Sequence, residues 1–106
     1  MLKVGRHFRV SHRVKVLVGR DEAENNSLAR HLSGRWWFEV PNAGSPLVLV
    51  QGDPDPELRR LIAGIAARYS SLRTEDEVDV TASRDDTREQ LRVRPMPDAL
   101  LSQCRI

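Results

Sequence analysis

A single cysteine, Cys104, stands in 106 residues, so no disulfide forms within the chain and a reduced, cytoplasmic setting is the expectation. Aromatic residues make up only 5%. No apolar stretch approaches the ~20 residues of a membrane span, and the longest, Pro46 to Val50, is strand-sized. No apolar segment follows the N-terminal basic residues, so no secretory signal is read. The three histidines, His7, His12 and His31, have no Cys, Asp or Glu partners at zinc spacing, and no metal is expected. No phosphate loop or dinucleotide glycine pattern occurs, so neither cofactor nor small-molecule substrate is implied. No carboxylate stands isolated in an apolar setting, and Cys104 has no nearby histidine, so the chain reads as non-catalytic.

What is present suits one soluble domain over 1–106: 40% apolar and 30% charged residues. The net charge is +2, but its distribution is uneven. Residues 1 to 20 hold Lys3, Arg6, Arg9, Arg13, Lys15 and Arg20 with no acid, leaving −4 for the rest of the +2 total. Such a block gives a local positive field, or equally a charged hairpin edge that resists pairing.

Alternation predicts the order ββαββαββ, an α+β domain with a mostly antiparallel sheet carrying two helices. Phe8 and Val10, then Val14, Val16 and Val18, mark a hairpin turning near Ser11 and His12. Gly19 ends the second strand. Asp21 with Glu24 predicts a capped helix running to about His31 or Leu32 and ending near Gly34, with Leu28, Ala29 and Leu32 inward and Asn25 at the stripe's edge. Arg35 to Val40 and Leu47 to Gln51 read as strands around a turn-rich loop. Asp53-Pro54-Asp55-Pro56 opens the main core helix, whose stripe runs through Leu58, Leu61, Ile62, Ile65, Ala66, Tyr69 and Leu72. Residues 77–81 and 90–94 then alternate around a polar stretch, 83–89, expected to be a loop. The core is placed at about 5–94, with 95–106 a flexible tail or a short turn of helix.

Phe8-Arg9-Val10, Val16-Leu17-Val18-Gly19-Arg20-Asp21, Glu24-Asn25 and Leu28, taken in order, resemble the start of the NFACT RNA-binding domain. Trp37 to Leu49, with its Pro-Asn-Ala-Gly-Ser turn, and Arg68-Tyr69-Ser70 continue the likeness over roughly residues 5 to 82. Gly-Arg-His-Phe-Arg also resembles the variant domain found at the C-terminus of PP-loop ATPases related to tRNA thiolation. The resemblance implies an accessory module that binds tRNA or ribosomal RNA, in tRNA modification or ribosome-associated quality control. A PP-loop ATPase or the ribosome is the implied partner.

On that reading Arg9, Arg13, Lys15 and Arg20 track phosphates, while Asn42, Gly44 and Ser45 line the contact loop. Trp37 stacks on a base if it faces outward, the alternative being packing beneath the second helix. Gly19, Asp21, Asn25, Tyr69 and Ser70 form the supporting motif. A second reading is an adaptor that docks a PP-loop enzyme through an exposed Trp36 or Trp37 and the acidic 75–86 region.

Overall fold

Val14, Val16 and Val18 point to one face of a strand and Lys15 and Leu17 to the other, and both faces are covered. This computed structural model describes residues 4–106; Lys3 lies outside them. The elements are β1 (Arg6–Ser11), β2 (Val14–Val18), α1 (Glu22–Ala29), β3 (Trp37–Glu39), β4 (Val48–Gln51), α2 (Pro56–Arg68), β5 (Val78–Arg84), β6 (Thr87–Val93) and α3 (Asp98–Cys104). The predicted order and α+β class hold, with one helix more than predicted.

The six strands form one sheet in the order β1-β2-β4-β3-β5-β6, with every pairing antiparallel. One face carries Phe8, Val16, Phe38, Val50 and Val80 against Ile62, Ile65 and Ala66 of α2, and this is the main core. The α2 cap is as the sequence suggests, with the Asp55 carboxylate accepting from Leu58 N–H at 2.8 Å and proline at the first helical position. The other face buries Leu17 and Leu49 beneath Leu28 of α1, with Leu32, Trp37 and Leu47 packed around them.

Three expectations are corrected. First, α1 stops at Ala29, well short of Leu32. Arg30 and His31 form tighter turns instead, Ala29 is exposed, and Gly34 takes its left-handed φ of 73° in a later bend.

Second, the polar stretch 83–89 is mostly strand. Asp85 adopts φ of 51°, which aspartate tolerates better than most residues, and a two-residue turn closes directly between Arg84 and Thr87. Charge does not oppose a strand whose outward face is solvated, as alternation alone suggested. The Asp85 carboxylate also accepts from Gly34 N–H at 2.9 Å, tying the turn to the segment after α1.

Third, residues 95–106 are anchored. Met96 N–H donates to the Gly64 carbonyl at 3.0 Å, Asp98 pairs with Arg68 at 2.7 Å, and Leu101 is buried. Arg105 bridges Phe8, and Ile106 N–H donates to His7 carbonyl at 3.1 Å, so the tail covers the outer edge of β1.

Candidate nucleic-acid interface

At the end of the sheet where β1 begins and β2 finishes, three segments enclose a hollow of about 330 Å³. Its walls are the β2–α1 junction (Gly19, Arg20, Asp21, Asn25), the β3–β4 loop (Gly44, Ser45, Pro46) and the pair Arg6 and Tyr69. Each wall is fixed from behind. A Cβ on Gly19 would overlap Asn25 Oδ1, so glycine lets α1 start directly against the strand end. Asn25 Oδ1 accepts from Leu47 N–H at 3.1 Å while Gly19 N–H donates to Leu47 carbonyl at 3.1 Å, joining the helix to the strand loop. Ser71 Oγ accepts from Gly44 N–H at 3.1 Å, and Ser71 N–H donates to Gly44 carbonyl at 2.7 Å, joining the same loop to the end of α2.

Arg20 is held by Glu24 one helical turn away, through Nε at 2.9 Å and Nη2 at 2.7 Å. Glu24 also accepts from Gly5 N–H at 3.0 Å and from Arg20 N–H at 2.8 Å. The expected capping box is thus half present. Asp21 accepts from Glu24 N–H at 2.9 Å, but Glu24 reaches past the cap to the residues before it. The Arg20 guanidinium, followed by the Gly5 amide, pulls the Glu24 carboxyl from 4.5 down to about 2. Arg6 lies over the Tyr69 ring at 5.0 Å, and Tyr69 packs on Phe8 with ring centroids 5.9 Å apart.

The hollow therefore brings together Gly19, Arg20, Asp21, Asn25, Gly44, Ser45 and Tyr69, all singled out in the sequence. Ser70 stands behind it, buried, with its hydroxyl donating to Ala67 carbonyl at 2.7 Å and accepting from Leu72 N–H at 3.2 Å. Asn42 is separate: at φ of 60° it opens onto a neighbouring hollow lined by Glu75, Asp76, Glu77 and Asp79.

Arg9, Arg13 and Lys15 lie toward the other end of the hairpin. Arg13 and Arg20 bracket β2 at roughly 20 Å, taking ~3.3 Å per residue. None of these three takes part in an ion pair among the described residues. Arg9 Nη1 donates to His12 carbonyl at 3.2 Å, and Lys15, only 9% exposed beside its cross-strand neighbour Arg9, is covered rather than open to a phosphate as the sequence suggests.

Trp37 does not face outward, nor does it lie under α2. It is half-buried on the opposite face, beside Leu17, Leu28 and Leu49 beneath α1. Trp36 is 4% exposed on the α2 face, with the guanidinium groups of Arg59 and Arg84 at 4.6 and 5.0 Å from its ring. Neither tryptophan is an exposed platform or docking anchor.

Two partners of the site escaped the sequence reading. Arg6 alternates with Phe8, which puts it on the side of Tyr69, but in the sequence it reads only as charge. Ser71 carried no local signal, because its role depends on a loop 27 residues away. Cys104 is half-buried, and burial pushes its thiol above the ordinary range, the opposite of an activated nucleophile.

Comparison with known proteins places these features in context. The solved C-terminal part of the fibronectin/fibrinogen-binding protein from Streptococcus suis shares the fold, with a TM-score of 0.82 at 20% identity. The match covers 100% of this chain and 50% of that one, so the chain spans half the length of that relative. A search among curated proteins found no significant match. A family model described as the NFACT protein RNA binding domain matches residues 5–104, from the start of β1 to the end of α3. The chain belongs to the family of NFACT RNA-binding domains.

Proposed function

We infer that the chain is a non-catalytic RNA-binding module that contacts tRNA or ribosomal RNA, and acts in the cytoplasm in tRNA modification or ribosome-associated quality control. The observation that carries this reading is the set of pre-positioned donors around the hollow. Arg6 rests on Tyr69, Arg20 is braced by Glu24, and Asn25 has its carbonyl engaged by Leu47, which leaves its amide N–H groups free to face a ligand. Donors positioned before binding lose little freedom when an RNA strand arrives.

The unpaired, exposed hairpin cations Arg9 and Arg13 supply the longer-range attraction, and the buried Lys15 adds only its charge behind them. They extend the contact along β1 and β2, so a strand touching both ends follows the hairpin. Asp21 and Glu22 at the hollow keep its net charge low, which suits an ordered polar contact there and leaves phosphate attraction to the hairpin. A PP-loop ATPase or the ribosome is the proposed partner assembly. Burial of Trp36 and coverage of Trp37 remove the aromatic anchor from an adaptor surface at 75–86.

The test is binding of the chain to tRNA over a salt series. With about four phosphate contacts, affinity falls roughly a hundredfold between ~50 and ~200 mM salt. Charge reversal at Arg9 and Arg13, both exposed, weakens binding and flattens the slope. A chain that binds no tRNA or ribosomal RNA at the lowest salt overturns the reading.

A further inference from the structure

The two edges of the sheet are treated differently. The outer side of β1 is occupied by Arg105 and Ile106, whereas no strand among the described residues pairs with the outer side of β6. The register of the β5–β6 hairpin shows which backbone groups face outward. A two-residue turn is closed by the hydrogen-bonded pair Arg84 and Thr87, and hydrogen-bonded pairs then recur at every second position. Thr87, Glu89, Leu91 and Val93 therefore spend their N–H and C=O groups on β5. Arg88, Gln90 and Arg92 turn theirs outward. One hydrogen bond bears this out: Arg60 Nη2 on α2 donates to the Arg92 carbonyl at 3.0 Å.

Beside this edge runs a groove of about 760 Å³, bounded by Asp55, Glu57, Leu58, Arg60 and Leu61 around α2 and by Val93 and Arg94, its two acids balanced by its two arginines. A strand added to β6 would send alternate side chains into that groove, onto Leu58, Leu61 and Val93. The intervening side chains would meet Arg88 on the solvent face, next to Arg92, whose guanidinium is already paired with Asp79 at 2.9 Å. Arg88 has no acidic partner among the ion pairs of the described residues. A second copy of the chain fits poorly, because antiparallel pairing centred on Gln90 sets Arg88 opposite the other copy's Arg92. Arginine on an edge strand opposes self-association, yet the same charges admit a strand bearing acids.

We propose that the β6 edge and the α2 groove form a docking site for an extended segment of a partner protein that alternates apolar and acidic residues. The segment adds to the sheet as a seventh strand. Arg60 is the gate. Unoccupied, it caps the Arg92 carbonyl; on docking it yields that carbonyl to a partner N–H, while the partner's carboxylates meet Arg88 on the other face.

The probe is a short synthetic peptide alternating glutamate with valine, added to the isotope-labelled chain, with a lysine–valine peptide as control. The expected result is shift changes along β6 and α2, with exchange of the Arg88, Gln90 and Arg92 amides slowed by about tenfold or more. Arg88→Glu is expected to exchange the preference, weakening the glutamate peptide and admitting the lysine one. Gln90→Pro, which removes an outward donor at an edge position, abolishes binding while tRNA binding persists. The proposal is overturned if the glutamate peptide leaves β6 unperturbed, if both peptides bind alike, or if the outward amides are protected without peptide by concentration-dependent dimerisation.

Discussion

The side-chain carbonyl of Asn25 accepts the amide N–H of Leu47 and occupies the space that a Cβ on Gly19 would fill. Glycine at one position and asparagine at the other are therefore a single feature. Gly19→Ala forces the amide off its bond and costs about 1–3 kcal/mol. Asn25→Ala leaves the Leu47 N–H without its partner, for a similar ~1–3 kcal/mol. The double variant removes the clash along with the bond, so its loss is smaller than the two single losses added. A double-mutant cycle by denaturant unfolding reads this coupling, and strict additivity argues against it.

Acid titration follows from Glu24. Its folded-state carboxyl sits near 2, below the 4.5 of an unconstrained glutamate, because Arg20 and the Gly5 amide favour the charged form. A depressed carboxylate stabilises the fold above about 4.5, and that stabilisation drains away as pH falls toward about 2. Asp79, lowered by Arg92, acts in the same direction. Stability measured down this range falls less steeply in Glu24→Gln than in the parent chain. An unchanged slope would count against the Arg20–Glu24 brace.

Trp37 separates packing from stacking. Since it lies under α1, Trp37→Ala lowers stability by roughly 2–4 kcal/mol. Trp37→Leu keeps much of the apolar contact and leaves RNA affinity within about twofold at temperatures where the fold is intact. Tenfold weaker binding by a folded Trp37→Leu chain would restore the stacking role.

The terminal helix is structural. Leu101→Asp places a charge at a site 8% exposed and costs about 2–4 kcal/mol, lowering the melting temperature by tens of degrees at most. Thermal melting of this variant beside Leu100→Asp, which is 38% exposed, distinguishes an anchored helix from a loose tail. Equal melting temperatures would favour the loose tail.

Alternation and capping made the sheet and α2 legible because each is written in neighbouring residues: Val14, Val16 and Val18 for a strand, Asp55 and Pro56 for a helix start. The hollow was legible in part for another reason, the serial likeness of Gly19-Arg20-Asp21, Asn25 and Gly44-Ser45 to a known family. What stayed hidden depends on contacts distant in sequence. The strand character of Ser83 and Arg84 comes from pairing with Arg88 and Thr87 across a turn that Asp85 makes by a left-handed backbone. α3 has only Leu101 buried, too little for a periodic signal, yet Gly64, Arg68 and His7 all hold its flanks.

The strand order alternates three pairs of consecutive strands, β1–β2, β3–β4 and β5–β6, with two distant pairings that join them. β1–β2 and β5–β6 each close over a short turn, whereas β4 joins β2 by setting Lys15 against Gln51, and β3 joins β5 by setting Trp37 against Ser83. Loop-closure entropy opposes the distant pairings before any burial compensates for it, so they govern the folding rate. The bond from Gly19 to Leu47 crosses the β2–β4 junction. A chain with only its hairpins formed therefore lacks the hollow, whose walls meet when β2 pairs with β4.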